Sequence, residues 1–348
     1  MEKSILLCAL FGSCIMLLSC QATTRTTVRT GVARDEHVVV NIPGERIEFE
    51  STSPISDMDV LEKRGRKDTV AGYLTIPKGL KGKAPVVIIQ HCGSGVTDWK
   101  VLKYARTLNE WGYATFVVDS WDSRKLEGLS RVSGKIKLIP LVDAYNALKV
   151  LSKDPRIDPN RVAVLGWANS AKGILASQIS KVNKTYGVGL HFAAAIAIQP
   201  VGGESWWTSK NVEETPTLIL CGEKDMFAPC EHSRKYAELM NKAGGNITII
   251  SYPLAGHQWD WELPPGMYNL FYDTRNCGSL FNVDTYSYEL GDGRTISAKS
   301  KNAKEQTFRY VMKCRVKGSW AGRDDDTALK ALEDVRKFLR KHLTEGRW

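Results

Sequence analysis

The stretch Val162-Ala163-Val164-Leu165-Gly166-Trp167-Ala168-Asn169-Ser170-Ala171-Lys172-Gly173 constrains this chain more than any other. Four apolar residues, Val162 to Leu165, make a run of strand length. A turn of small residues follows at once, and helix formers continue from Ala171 to Ile179. A strand that turns sharply into a helix brings the two elements together on either side of the turn, so the positions two before and two after its centre must be small. Gly166 and Ser170 occupy those positions, and Ala168 is the centre.

Strand and helix patterns alternate through the rest of the chain. Glu45 to Glu50 and Val70 to Ile76 read as strands, separated by a charged stretch around Lys63 to Asp68. Pro85 to Gln90 is a continuous apolar run, as expected of a strand buried on both faces, and leads into the turn His91-Cys92-Gly93-Ser94-Gly95. Helical spacing runs from Val101 to Trp111 and stops at Gly112. Ala114 to Val118 is the next strand, closing with Asp119-Ser120-Trp121, and Ile139 to Leu151 is an amphipathic helix. Further strands are expected at Ala193 to Ile198, Thr217 to Cys221 and Ile247 to Tyr252, and further helices at Glu231 to Ala243 and Ala328 to Leu343. This alternation implies an α/β fold with a doubly wound, mostly parallel sheet, which places function at the carboxyl ends of its strands. Residues 263–323 break the pattern and read as an insertion before the C-terminal helix, with a hairpin around Gly291-Asp292-Gly293.

With 348 residues, 43% hydrophobic and 25% charged, the chain suits one large domain, placed at 45–348. Lys3 precedes an apolar run from Ile5 to Leu18, too short to span a bilayer comfortably but suited to a signal peptide, here residues 1–19. The run ends in Leu17-Leu18-Ser19-Cys20, which resembles the lipobox of bacterial lipoproteins. That resemblance implies that Cys20 is lipidated, becomes the new N-terminus and anchors the chain to a membrane. The expected location is the cell envelope, on the periplasmic side of the outer membrane. An ordinary cleaved signal is the alternative, and either implies export. Threonine-rich residues follow, and 20–44 read as a flexible tether. Net charge is +10, from 48 Lys and Arg against 38 Asp and Glu; the basic residues read as scattered over a solvated surface, and no nucleic-acid partner is expected.

Of eight cysteines, five lie beyond the signal and Cys20: Cys92, Cys221, Cys230, Cys277 and Cys314. Export permits disulfides, and an odd count leaves at least one thiol free. Cys277 and Cys314 flank the hairpin of an insertion with little core of its own, so a bond between them is expected; pairing of either with Cys230 is the competitor. No cysteine pair has zinc-ligand spacing, and neither a metal nor another cofactor is expected.

Strand, tight turn and helix is the geometry of the nucleophile elbow, written G-x-S-x-G in serine hydrolases, and here the nucleophile position holds Ala168. Downstream, Leu220-Cys221-Gly222-Glu223-Lys224-Asp225 is followed by Pro229 and Cys230, and then by Tyr252-Pro253-Leu254-Ala255-Gly256-His257. Together with the His91 to Gly95 turn, and with Asp119-Ser120-Trp121 and Arg124, these motifs resemble the dienelactone hydrolase family of α/β-hydrolases. The likeness covers Val70 to His257 plus the closing helix, with elbow, acid and histidine in the family's order. It implies that Asp225 orients His257, that His257 is the general base, and that the N–H of Asn169 with that of Cys92 or Gly93 forms an oxyanion hole. Cys92 belongs to the oxyanion turn rather than to the elbow, so it is not read as the nucleophile. Ser170 reads as small-residue packing or a helix cap. The implied ligand is a small carboxylic ester, a lactone or another acyl compound.

Trp121, Trp167, Trp206, Trp207, Trp259 and Trp261 fall in or near strand-end segments. They read either as the wall of a flat apolar pocket, with Trp121, Arg124, Trp167 and Trp259 lining it, or as ordinary loop packing. Two functions stay open. One is an ester or lactone hydrolase whose nucleophile is replaced in this copy, inactive or nearly so as written. The other is a non-catalytic protein that binds a ligand or partner at the cell envelope.

Overall fold

The apolar run around Val86 to Ile89 lies at the middle of an eight-stranded sheet. The structure, a computed structural model, describes residues 28–29, 40–126, 138–201 and 205–344. The signal segment and Cys20 lie outside the described residues. The strands are β1 (Glu45–Ser53), β2 (Arg66–Thr75), β3 (Ala84–Gln90), β4 (Ala114–Asp119), β5 (Ile157–Trp167), β6 (Ala194–Ile198), β7 (Thr217–Gly222) and β8 (Ile247–Tyr252). Their order is β1-β2-β4-β3-β5-β6-β7-β8. The pairs β1–β2 and β2–β4 are antiparallel and every other neighbouring pair is parallel. This is the mostly parallel, doubly wound α/β-hydrolase sheet.

Strand periodicity splits the core into two layers. Val86 and Ile88 point to one face and Val87 and Ile89 to the other, and all four are fully buried. The helices are α1 (Lys103–Glu110), α2 (Ile139–Leu151), α3 (Asn169–Ala176), α4 (Cys230–Lys242) and α5 (Asp325–Leu339). The first face is covered by α2, α3 and α4, through Leu148, Ile174 and Met240 among others. The second is covered by α1 and α5, through Leu108, Ala331 and Val335.

Element ends shifted where side-chain capping or strand pairing decided them. α5 begins three residues before the expected Ala328, because the Asp324 side chain accepts from the Thr327 N–H at 3.1 Å and starts the helix there. Asp98–Leu102 forms a wide π-type turn, so α1 starts at Lys103. Part of the charged stretch near Asp68 is strand, because Ser51, Thr52 and Ser53 pair with Asp68, Lys67 and Arg66 at the sheet edge, where charge is tolerated.

Residues 263–323 carry more order than a hairpin. Gly266–Asp273 pairs antiparallel with Val316–Ala321. Ser279–Asn282, Ser287–Leu290 and Thr295–Ser297 form a second small sheet with Trp206–Thr208, and Ala303–Cys314 is a helix. Val28–Arg29, within the stretch read as a free tether, pair in parallel with Met267 and Tyr268.

Cys277 and Cys314 are bonded, and Cys221 is bonded to Cys230, which leaves Cys92 free and buried. Non-reducing peptide mapping is expected to return these two bonds and no other among the five cysteines. On the chain-entropy model the 37-residue separation gives the Cys277–Cys314 bond about 4 kcal/mol. The Cys277→Ala, Cys314→Ala double variant is expected to lose stability on that scale in denaturant titrations.

Candidate active site

Four loops meet at the carboxyl ends of β3, β5, β7 and β8, those of the acid and the histidine side by side. At the elbow, Ala168 has φ 51° and ψ −113°, a sparsely populated conformation for a residue with a Cβ, which costs on the order of 1–3 kcal/mol. The surroundings impose it. Its N–H donates to the Ile198 carbonyl at 3.0 Å, and its carbonyl accepts from Lys172 at 3.1 Å. A Cβ on Gly166 would lie 2.8 Å from Ile174 Cδ1 and 3.1 Å from Ser170 Cβ, so the helix packs this closely only against glycine. The Ser170 hydroxyl donates to the His91 carbonyl and pins α3 to the turn after β3. Asn169 opens α3, and the N–H of a first helical residue has no partner within its helix.

The acid and the histidine adjoin. Asp225 Oδ2 lies 2.7 Å from His257 Nδ1, and Asp225 Oδ1 accepts from the N–H groups of Phe227 and Ala228 at 2.9 and 2.7 Å. With the carboxylate as acceptor, Nδ1 carries the proton and Nε2 is left with its lone pair. Nε2 is buried and has no hydrogen-bond partner among the described residues. Phe227 and Phe271 set their rings edge-on to the imidazole, each 5.0 Å away.

The histidine loop is clamped from both sides. Gln199 donates to the Gly256 carbonyl and accepts from the Gln258 N–H. The His257 N–H donates to the Trp320 carbonyl, and the His257 carbonyl accepts from Gly322. A Cβ on Gly256 would fall 2.5 Å from Trp320 Cδ1, so the clamp requires glycine there.

The fourth loop is the His91–Cys92 turn. The Ser120 N–H donates to His91 Nε2 at 3.0 Å, so the ring's other nitrogen carries its proton and donates to the Cys92 carbonyl at 2.9 Å. The Trp121 indole N–H donates to the same carbonyl at 2.9 Å. The elbow, the acid–histidine pair and the His91–Cys92 turn thus lie together, with the Ser170 hydroxyl joining the elbow helix to the turn.

A family model for the dienelactone hydrolase family matches residues 70–270. The chain belongs to the dienelactone hydrolase family. No curated protein sequence matches it. Among solved structures it is similar to a proposed dienelactone hydrolase of Klebsiella pneumoniae at 16% identity and a TM-score of 0.43, covering 78% of this chain and 98% of that one. Esterase 2 of Thermogutta terrifontis in its butyrate-bound form is 13% identical with a TM-score of 0.40, covering 55% of this chain and 80% of that one. The native form of that esterase is 14% identical with a TM-score of 0.41, covering 60% and 82%.

Within this dienelactone hydrolase-family domain, the residues read as pocket lining do other work. Arg124 is no pocket cation: its guanidinium donates to Asp143 at 2.8 and 2.7 Å and to Ser53 at 2.8 Å, fully buried, so its donors are spent inside the protein. Trp121 braces the Cys92 turn. Trp167 is sealed edge-on against Tyr104 at 4.9 Å, and Trp259 against Tyr252 at 5.3 Å. Trp206 and Trp207 are buried in a small-sheet strand, and Trp261 packs on Tyr268 and Phe271. Loop packing is the reading these tryptophans fit.

Sequence reading missed Lys100, which lies between Trp99 and Val101 just ahead of the expected helix. It is 1% exposed, with Nζ 3.3 Å from Gln258 Oε1 and 3.6 Å from Cys92 Sγ. Burial pushes the Cys92 thiol up; the Lys100 ammonium and the Ser94 hydroxyl outweigh it and bring the thiol below its ordinary value. Nearby, Asp260 Oδ1 is sealed from solvent with no hydrogen-bond partner, and burial raises this carboxyl to about 6 despite the opposing charges of Lys100 and Lys103. The folded state therefore binds the Asp260 proton more tightly than the unfolded chain does. The stability this contributes is full below about pH 4 and is lost as pH rises through 6. The neutral variant Asp260→Asn is expected to be about 3 kcal/mol more stable than the parent at pH 8 and to lose that advantage by pH 4. Urea denaturation at the two pH values checks this, and an equal difference at both would refute it.

Proposed function

We propose that this chain is a dienelactone hydrolase-type domain for small carboxylic esters or lactones whose covalent step is missing, leaving it inactive or nearly inactive as written. The observation that carries the reading is the orphaned Nε2 of His257. A buried nitrogen without a partner is costly, and this one belongs to a ring already oriented by Asp225. The elbow that would present a hydroxyl to such a ring keeps its strained backbone at Ala168, with a methyl group in place of a nucleophile. Acyl transfer at this site would need a hydroxyl on residue 168, a base at His257, and the amides of Asn169 and of Cys92 or Gly93 around the developing oxyanion. The Asp225–His257 pair supports the second of these roles, and residue 168 lacks the hydroxyl for the first.

In a comparable triad, loss of the serine costs on the order of a millionfold in turnover, the remainder coming from the oxyanion hole and binding. The unmodified chain is therefore expected to resist labelling by serine-directed phosphonates. Ala168→Ser is expected to be labelled and to hydrolyse a small activated ester at least a hundredfold faster than the parent. Spectrophotometric assay and intact-protein mass spectrometry read both. No gain in a stably folded variant would replace this reading with a ligand- or partner-binding pseudohydrolase. Robust activity in the parent, abolished by Ser170→Ala, would overturn the placement of the elbow centre.

We propose further that the mature chain begins at lipidated Cys20 and is held at the cell envelope, on the periplasmic side of the outer membrane. Support comes from the apolar run that ends in Leu17-Leu18-Ser19-Cys20. Mass spectrometry of the native N-terminus is expected to find a diacylated or triacylated cysteine. An unmodified start beyond Cys20 would sink this proposal without touching the reading of the active site.

A further inference from the structure

The helix Ala303–Cys314 turns an unusual face to solvent. Its inner side is firmly mounted. Cys314 is bonded to Cys277, and the Tyr310 hydroxyl donates to the Gly278 carbonyl at 2.9 Å and accepts from the Gly291 N–H at 3.1 Å. On its outer side Phe308 is 61% exposed and Met312 is 43% exposed. Spaced four residues apart, they lie one above the other along the helix. Lys304, one turn before Phe308, has its ammonium 3.5 Å from the carbonyl of Ile55, another apolar residue more than half exposed. Val316, just past the helix, is exposed as well. Single exposed apolar side chains are ordinary; a group of them on and around one rigid helix marks an interaction surface.

The charge around this helix narrows the partner. Residues 299–317 hold seven Lys and Arg against one acidic residue, Glu305, and Glu305 is paired with Arg309 at 2.5 Å. These residues carry a net charge of +6. We propose that this face docks on a bilayer surface rich in anionic headgroups. Phe308 and Met312 enter the interfacial layer, while Lys304 and Lys313 meet the phosphates. A basic amphipathic helix with exposed large apolar side chains has the two elements such binding requires, electrostatic attraction and buried apolar area. A soluble polyanion would use the cations and leave Phe308 and Met312 in water. The surface lies on the inserted segment, and the proposal does not depend on the catalytic status of Ala168 or on lipidation of Cys20.

Oxidation of Met312 by dilute peroxide tests it in the full chain, since a thioether in the interfacial layer reacts more slowly than one in water. Peptide mass spectrometry follows the sulfoxide, with buried Met240 as the internal reference. Phosphatidylglycerol vesicles are expected to slow Met312 oxidation at least fivefold. Phosphatidylcholine vesicles are expected to leave it within a factor of two of the vesicle-free rate, because a chain tethered only by its N-terminus leaves this face free. The Lys304→Glu, Lys313→Glu double variant and, separately, Phe308→Ser are expected to abolish the protection while near-ultraviolet circular dichroism stays unchanged. Equal oxidation rates with and without phosphatidylglycerol would overturn the proposal. So would equal protection by phosphatidylcholine, or protection by heparin as strong as by phosphatidylglycerol vesicles, the last pointing to a soluble polyanion.

Discussion

One side of the candidate site hangs on a single buried carboxylate. Asp143, on α2, accepts two bonds from Arg124 and one each from Ser51 and Ser120, with no exposure to solvent. That joins β1, the turn after β4 and α2 at one point. Ser120 in turn donates its N–H to His91, and His91 and Trp121 together hold the Cys92 carbonyl. A buried ion pair contributes little over a well-packed apolar pair, but removing one partner leaves an uncompensated charge at a cost of roughly 3–5 kcal/mol. The His91–Cys92 turn is therefore positioned by a network whose disruption also destabilises the fold.

The acid–histidine side is fixed by different contacts. Gln199 and the backbone of residues 320–322 clamp the loop, and Phe227 and Phe271 flank the ring. None of these bonds involves a side chain at position 168. The elbow backbone is likewise held by main-chain bonds and by close packing at Gly166. Geometry assembled this way does not depend on the side chain at position 168, because scaffold bonds alone hold it. The strain at Ala168 persists for the same reason.

Residues 263–323 bear on both the site and the surface. They supply Phe271 beside His257 and the Trp320 carbonyl that receives the histidine's N–H. They also carry the basic helix with Phe308 and Met312, joined back to the segment by the Cys277–Cys314 bond. The same segment thus braces the histidine and presents a basic surface.

The sequence by itself determined the sheet and the chain order of the site. Uninterrupted apolar runs such as Val86 to Ile89 can be satisfied only between two helical layers, and the small residues around Ala168 permit only a tight strand-to-helix turn. The family motifs added Asp225 and His257, which the structure brings to 2.7 Å. Tertiary structure decided what depends on partners distant in sequence. Arg124 looked like a pocket cation until Asp143, nineteen residues away, took its donors. Lys100 carries no local sign in the sequence of the packing that seals it beside Cys92. The part played by residues 263–323 in clamping His257 rests on backbone bonds and ring contacts that no local pattern encodes. Local periodicity reports which face of an element is apolar, whereas the role of a polar or charged side chain is set by whichever group the fold places opposite it, and only the assembled molecule supplies that group.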